Sequence, residues 1–312
     1  MMLLVGAGPM AIDHSKVLDA LNEEYVIIGR GEESALKFET KTGHPVFRGG
    51  VSKYIASTDQ LPEKAIVSVG VEHLSEITRQ LIRNGVKRVL VEKPAGLTLE
   101  DIEKLSEVTD EYKAEVFVAY NRRLLSSVMA AQEIIEKDGG VENFTFEVTE
   151  WGHSIEPLQK AYGVKENWFL GNTSHVVDLA FYLGGDPLHL SSFTTGGTSW
   201  HQRSAIFAGA GETKTGTLFS YHGNWNAPGR WSLDILTRKH RLIFCPLEKL
   251  QIQKLGTIVI EEVEINDALD VNFKPGLYRQ LESFLKKEVS SLCTIKKHLE
   301  NCRFYTKMAN YD

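Results

Sequence analysis

Lys93 stands in the run Val89-Leu90-Val91-Glu92-Lys93-Pro94-Ala95-Gly96, where an apolar, β-branched stretch delivers a carboxylate, an amine and a proline in succession. Proline offers no ladder N–H and restrains the residue before it. A strand written this way therefore stops abruptly and leaves its last polar side chains at the carboxyl edge of its sheet. Open α/β sheets bind ligands along that edge. A second signal points to the same place: Gly6-Ala7-Gly8-Pro9-Met10-Ala11 follows a short apolar run and precedes a helical pattern over residues 12–21. Gly6 permits the tight turn, Gly8 lets the backbone approach a pyrophosphate, and the small Ala11 lets helix and strand pack closely. Pro9 and Met10 begin the helix whose N-terminus would face phosphate. Glycine-rich strand-to-helix turns also occur as plain structure, but this one opens a repeated strand-helix pattern, which favours a bound dinucleotide.

An NAD site of this kind places Asp or Glu roughly twenty residues on, at the end of the second strand, to hold the ribose diol. Here the second strand ends Ile28-Gly29-Arg30-Gly31. A guanidinium at Arg30 suits a 2'-phosphate through charge-assisted bonding. In the alternative, Arg30 is a solvated loop residue and Glu32 or Glu33 holds the diol. NADP is preferred over NAD.

The strands that carry these motifs are short apolar runs at residues 3–5, 25–28, 65–69, 88–91 and 115–119, separated by stretches such as 73–84 and 99–112 whose apolar positions recur at three and four residues. Doubly apolar strands alternating with amphipathic helices predict a doubly wound parallel sheet, a Rossmann domain over residues 1–121. Beyond it the pattern changes. A helix over 126–137 ends at Asp138-Gly139-Gly140, and strand-like pieces follow at 143–150, 190–195, 204–208, 215–221, 231–236, 242–244 and 257–265. A helix over 166–183 interrupts them, and helices over 278–287 and 295–308 come last. Residues 122–312 are expected to form an α+β domain with a large, mostly antiparallel open sheet, for substrate binding and self-association.

The 312 residues carry 35 basic and 41 acidic side chains, a net charge of -6, which gives no general attraction to nucleic acid or an anionic membrane. A small soluble substrate is expected. Cys245, Cys293 and Cys302 have no metal-ligand spacing and read as packing residues of a protein in a reducing cytoplasm. No metal is expected. The sequence begins without a basic region followed by an apolar helix, and no apolar run approaches the ~20 residues that span a bilayer.

Five motifs in order, the Gly6–Ala11 loop, His73, Glu92-Lys93-Pro94, Tyr120-Asn121-Arg122-Arg123 and Asn172-Thr173-Ser174-His175-Val176-Val177-Asp178, make the chain resemble the glucose-fructose oxidoreductase and inositol dehydrogenase family, Gfo/Idh/MocA. The resemblance implies an NAD(P)-dependent oxidoreductase acting on a secondary hydroxyl, or the corresponding ketone, of a sugar, sugar derivative or nucleotide sugar. It implies that Lys93 and His175 assist proton transfer and that His73, Glu92 and Lys93 lie against the cofactor. Glu92 would hold the lysine in place. A secondary alcohol that loses hydride must also lose its hydroxyl proton, and histidine titrates in the useful range. The resemblance also implies a homodimer or homotetramer paired through the open sheet.

Many relatives carry an aspartate four residues before the histidine; here that position is Gly171, followed by Asn172. Asn172 can orient a substrate hydroxyl but cannot act as a base. Asp178 is read either as a partner fixing the imidazole tautomer or as a helix hydrogen-bonder, and Tyr120 and Arg123 either as substrate contacts or as latches between domains. Trp151, His153, Trp168 and Trp200 could line a carbohydrate pocket or belong to the core. His14 has no partner nearby in sequence and reads as ordinary. From a different class, a dinucleotide-binding sensor without catalysis is the alternative that Gly171 favours.

Overall fold

Short, mostly buried strands build the sheet of the first unit of the computed structural model, which describes residues 1–311. Strands β1 (Met2–Val5), β2 (Tyr25–Gly29), β3 (Val46–Arg48), β4 (Lys64–Val67), β5 (Arg88–Val91) and β6 (Glu115–Val118) run parallel in the order 6-5-4-1-2-3. Parallel strands need crossover helices, supplied by α1 (Pro9–Ala20), α2 (Glu32–Thr42), α3 (Gly50–Ala56), α4 (Leu74–Arg83) and α5 (Leu99–Glu111). Helix α5 starts on a capping box in which Thr98 accepts from the Asp101 amide and the Asp101 carboxylate accepts from the Thr98 amide. Strand order reverses between β1 and β4, so their carboxyl ends open a crevice.

The chain divides into two compact units: residues 1–120 with 272–299, and residues 121–271 with 300–312. This corrects the linear division at 121/122, because 28 residues late in the chain complete the first unit. The cause is long-range packing. The buried Arg88 guanidinium lies between the rings of Phe117 and Phe284 at 4.8 and 5.1 Å, and its Nε donates to the Phe284 carbonyl at 3.1 Å. Cys293–Thr294 adds an antiparallel edge to β6.

The second unit holds α6 (Ser126–Lys137), with the bounds the sequence predicts, and β7 (Asn143–Glu147). There follow α7 (Gly152–Ile155), a π-helical turn at Phe169–Thr173 and α8 (Ser174–Gly184). Strands β8 (Pro187–Thr195), β9 (Ile206–Thr213), β10 (Leu218–Asn224), β11 (Ser232–Leu236), β12 (His240–Phe244), β13 (Gln251–Lys254) and β14 (Ile260–Glu262) complete an eight-stranded sheet in the order 14-13-12-11-7-10-9-8. All its pairings are antiparallel except β7 with β10. Strands β3 and β13 lack a clear apolar run and escape sequence reading. Helix α9 (Ala268–Asn272), α10 (Leu277–Lys286) and α11 (Ile295–Ala309) follow. Of the cysteines, Cys293 and Cys302 are buried and Cys245 is exposed, so the packing reading fails for Cys245.

One sheet face carries Phe144, Phe146, Phe219 and Tyr221, onto which the Phe181 ring of α8 stands edge-on, 5.1 Å from Phe219 and 5.9 Å from Phe146. The opposite face is open, with Phe193 72% and Leu218 62% exposed. Helix α8 lies so close to the sheet that a Cβ on Gly184 would run into the Phe144 ring, whereas one on Gly171 meets nothing within 4 Å. Gly184→Ala is expected to cost about 1–3 kcal/mol, as overpacking of a full core does, while Gly171→Ala leaves stability nearly unchanged. Urea unfolding of both variants beside the parent measures the difference.

Candidate active site

In the first unit the glycine loop leaves β1 as the sequence suggests. Gly6 adopts φ +124° and its amide donates to the Ile28 carbonyl at 2.8 Å; a Cβ there would strike the Ser68 carbonyl. Gly8 is the N-cap of α1, Pro9 stands in its first turn, and Ala11 is fully buried against the sheet. A Cβ built on Gly8 meets nothing within 4 Å. Turn, cap and free space thus fit a diphosphate laid over the N-terminus of a twelve-residue helix, with Met10 at its start.

Arg30 follows β2 and is exposed, and its Nη1 donates to His73 Nε2 at 3.1 Å. Since a guanidinium only donates, that nitrogen accepts. Both carboxylates of the alternative diol site are engaged elsewhere: Glu32 with Arg48 at 2.8 Å and Glu33 with Lys37 at 2.6 Å.

Strand β5 stops at Val91, in register with Val67 and Val118, and Glu92 still donates its amide to the Val67 carbonyl at 2.8 Å. Lys93 follows at the carboxyl edge, half-buried, with a cis peptide bond to Pro94 and Ala95 at φ +67°. The Pro94 carbonyl accepts from His298 Nε2 at 2.8 Å, a buried contact that ties this turn to α11. Glu92 bonds to Nε2 of the fully buried His14 at 2.9 Å. His14 is therefore not ordinary: it links α1, the helix of the glycine loop, to the Glu-Lys-Pro turn. The 78 residues between the two partners hide the link from local sequence reading. Tyr120 is 1% exposed, its ring 5.4 Å from His298, which places it in the core of the first unit.

In the second unit His175 lies in the first turn of α8, 6% exposed, with its ring 6.0 Å from Trp231. Arg123 and Asp178 are brought together: Arg123 Nε and Nη2 donate to the two Asp178 oxygens at 2.7 and 2.6 Å, both residues buried. Both members of this bidentate pair lie in the second unit. This buried carboxylate and guanidinium are directed at each other. Asn172 Nδ2 donates to Glu150 at 2.8 Å, so Asn172 is joined to a carboxylate that sequence reading did not single out.

Glu150 borders a cavity of about 840 Å³ whose walls include Trp151, His153, Trp200, Trp225 and Asn226. Of the four aromatic candidates, Trp151, His153 and Trp200 line it. Trp168 does not; it stands edge-on to Trp200 at 5.9 Å. Trp225, stacked on Trp200 at 5.3 Å, was missed. Burial pushes the Glu150 carboxyl above its ordinary value, against the opposing effect of Thr173, Arg230 and Asn172. Burial likewise lowers Arg122 to about 10, helped by the neighbouring Arg230 and opposed by Glu248 and Glu150. Arg122 and Arg230 both lie over the Trp231 ring, at 5.0 and 4.3 Å.

A parallel Rossmann sheet with a glycine-capped helix terminus, followed by a mostly antiparallel α+β unit, defines the architecture. Residues 1–120 match the family model GFO_IDH_MocA, described as an oxidoreductase family with an NAD-binding Rossmann fold. No curated protein matches the sequence. Among solved structures, levoglucosan dehydrogenase in complex with NADH and levoglucosan superimposes with a TM-score of 0.79 at 15% identity, covering 99% of this chain and 96% of that one. The WlbA dehydrogenase from Bordetella pertussis, in complex with NADH and UDP-GlcNAcA, gives 0.76 at 18% identity, covering 99% and 95%. UDP-N-acetylglucosamine 3-dehydrogenase from Acidithiobacillus ferrooxidans gives 0.75 at 13%, covering 99% and 96%. At these identities the likeness speaks for the fold.

Arg123→Met should cost about 3–5 kcal/mol, because it leaves Asp178 as an uncompensated buried charge. Adding Asp178→Leu should return much of the loss, and a double-mutant cycle by chemical denaturation checks both.

Proposed function

We propose that the protein transfers hydride between a nicotinamide dinucleotide and a secondary hydroxyl or ketone of a sugar, sugar derivative or nucleotide sugar. The observation that carries this reading is the pairing of a phosphate cradle at Gly6–Ala11 with an amine, Lys93, presented at the carboxyl edge of the same sheet. When bound, the dinucleotide supplies the hydride acceptor or donor. Lys93 holds the reacting oxygen and lowers the cost of charge on it. His175 takes or gives the hydroxyl proton, as a group titrating near neutrality can. His14 and Glu92 fix the turn that carries Lys93.

The aromatic and polar walls of the cavity beside Glu150 suit a sugar, whose apolar ring faces stack on indoles while its hydroxyls need polar partners. The solved dehydrogenases similar to this chain include complexes with levoglucosan and with UDP-GlcNAcA, in keeping with that class. The open face of the second sheet, with Phe193 and Leu218 exposed, supports pairing of two copies there.

Purified protein with NADPH or NADH and a panel of sugars and nucleotide sugars should show turnover at 340 nm absorbance for at least one pair. Lys93→Ala and His175→Ala should each lower kcat by on the order of 10²–10⁴-fold. Gly171, where relatives carry an acid, favours a second reading, a sensor that binds dinucleotide without turning it over. Tight binding with no absorbance change on any substrate would establish that reading instead.

The proposed cofactor is NADP, with the 2'-phosphate held by Arg30, whose exposed guanidinium has no carboxylate competitor in Glu32 or Glu33. Arg30→Ala should weaken NADPH roughly tenfold or more, as loss of a charge-assisted bond does, and NADH little. Fluorescence titration gives both constants, and equal effects would exclude the 2'-phosphate role.

A further inference from the structure

Phe144 and Phe146 on β7, and Val148 and Glu150 just beyond its end, are all at most 1% exposed. Three are hydrocarbon and the fourth is a carboxylate, a choice that only dedicated partners justify. Glu150 has them. Its Oε1 accepts from Asn172 Nδ2 and Thr173 Oγ1, each at 2.8 Å, and its Oε2 accepts from Arg230 Nη1 at 2.9 Å. Asn172 and Thr173 end the π-helical turn that leads directly into Ser174-His175. Arg230 in turn lies over Trp231 at 4.3 Å, and Trp231 faces the His175 ring at 6.0 Å. One carboxylate thus braces the imidazole from two directions, through the turn that carries it and through the stacked pair beside it.

We propose that Glu150, just beyond the end of strand β7, is the positioning residue for His175. This rests on the reading that His175 serves the reaction. With its side chain 1% exposed, Glu150 acts on the histidine's geometry and titration rather than on substrate. Position 171 makes room for this: a Cβ there would project into space with no atom within 4 Å, so the turn is braced from Asn172 and Thr173 instead. The charged groups around the carboxylate are Arg230, which pairs with it, and Arg122, which shares the Trp231 ring; Glu248 acts on Arg122 from the opposite sign.

The test compares the parent with Glu150→Gln, Glu150→Asp and Thr173→Val in two ways. In steady-state turnover with the sugar panel and NAD(P)H, Glu150→Gln should lower kcat roughly tenfold or more, as misplacement of a reacting group does, with KM changed far less. Glu150→Asp should recover part of the loss, and Thr173→Val should fall between. The second measurement follows the His175 ring ¹⁵N shifts against pH, assigned by their disappearance in His175→Gln. Its titration midpoint should move in Glu150→Gln with thermal unfolding nearly unchanged. An unmoved midpoint, an unchanged kcat, or equal losses in the Gln and Asp variants that track only a fall in unfolding temperature would overturn the proposal. If the parent turns over no sugar while the imidazole titration still responds to residue 150, hydride transfer fails as the function and the bracing role of Glu150 stands.

Discussion

A parallel strand cannot return beside itself without a crossover, and the rest of this molecule is arranged around that constraint. Each strand of the first sheet hands its chain to a helix at the same edge, so the loops after β1, β2, β4, β5 and β6 gather there. The reversal of strand order between β1 and β4 spreads those loops apart. Everything chemically notable in the first unit lies on them: the glycine cradle after β1, Arg30 after β2, His73 after β4 and Lys93 after β5. The buried His14–Glu92 bond joins two of these loops, so the cradle and the lysine are held as one piece.

The second unit obeys a different rule. Its sheet has one covered face and one open face, and the covered face carries stacked rings beside the aliphatic Leu233 and Ile235. Rings of that size leave little slack, which is why α8 needs Gly184 over Phe144. The second unit also buries two carboxylates, Glu150 paired with Arg230 and Asp178 paired with Arg123, while Arg122 lies over the Trp231 ring. Those two buried carboxylates persist because each has a geometric partner, not because the medium welcomes them.

Local order was legible in the sequence wherever the signal itself was local. Doubly apolar runs marked five of the six parallel strands, helix periodicity with a glycine stop marked α6 to the residue, and Glu92-Lys93-Pro94 marked the end of β5. The short strand Val46–Arg48 was missed because one buried residue in three carries no pattern. The partners of the polar residues were illegible for another reason. His14 with Glu92 and Arg123 with Asp178 are separated by 78 and 55 residues, and such pairs are decided by tertiary packing alone. Glu150 is the instructive case, since its signal was present: an acid that continues the alternate apolar positions Phe144, Phe146 and Val148.

The return of residues 272–299 to the first unit bears on the order of biosynthesis. A ribosome releases the six parallel strands early, yet the segment that covers Phe117, receives the Arg88 N–H and pairs with the edge of β6 leaves the exit tunnel only after the whole eight-stranded sheet has been translated. In that interval β6 is an unpaired edge beside an uncovered aromatic ring, the kind of surface that recruits another chain. The nucleotide-binding half therefore starts first and finishes last, and a nascent chain has a long window in which a chaperone, or a cofactor already seated on the glycine loop, governs whether it stays soluble.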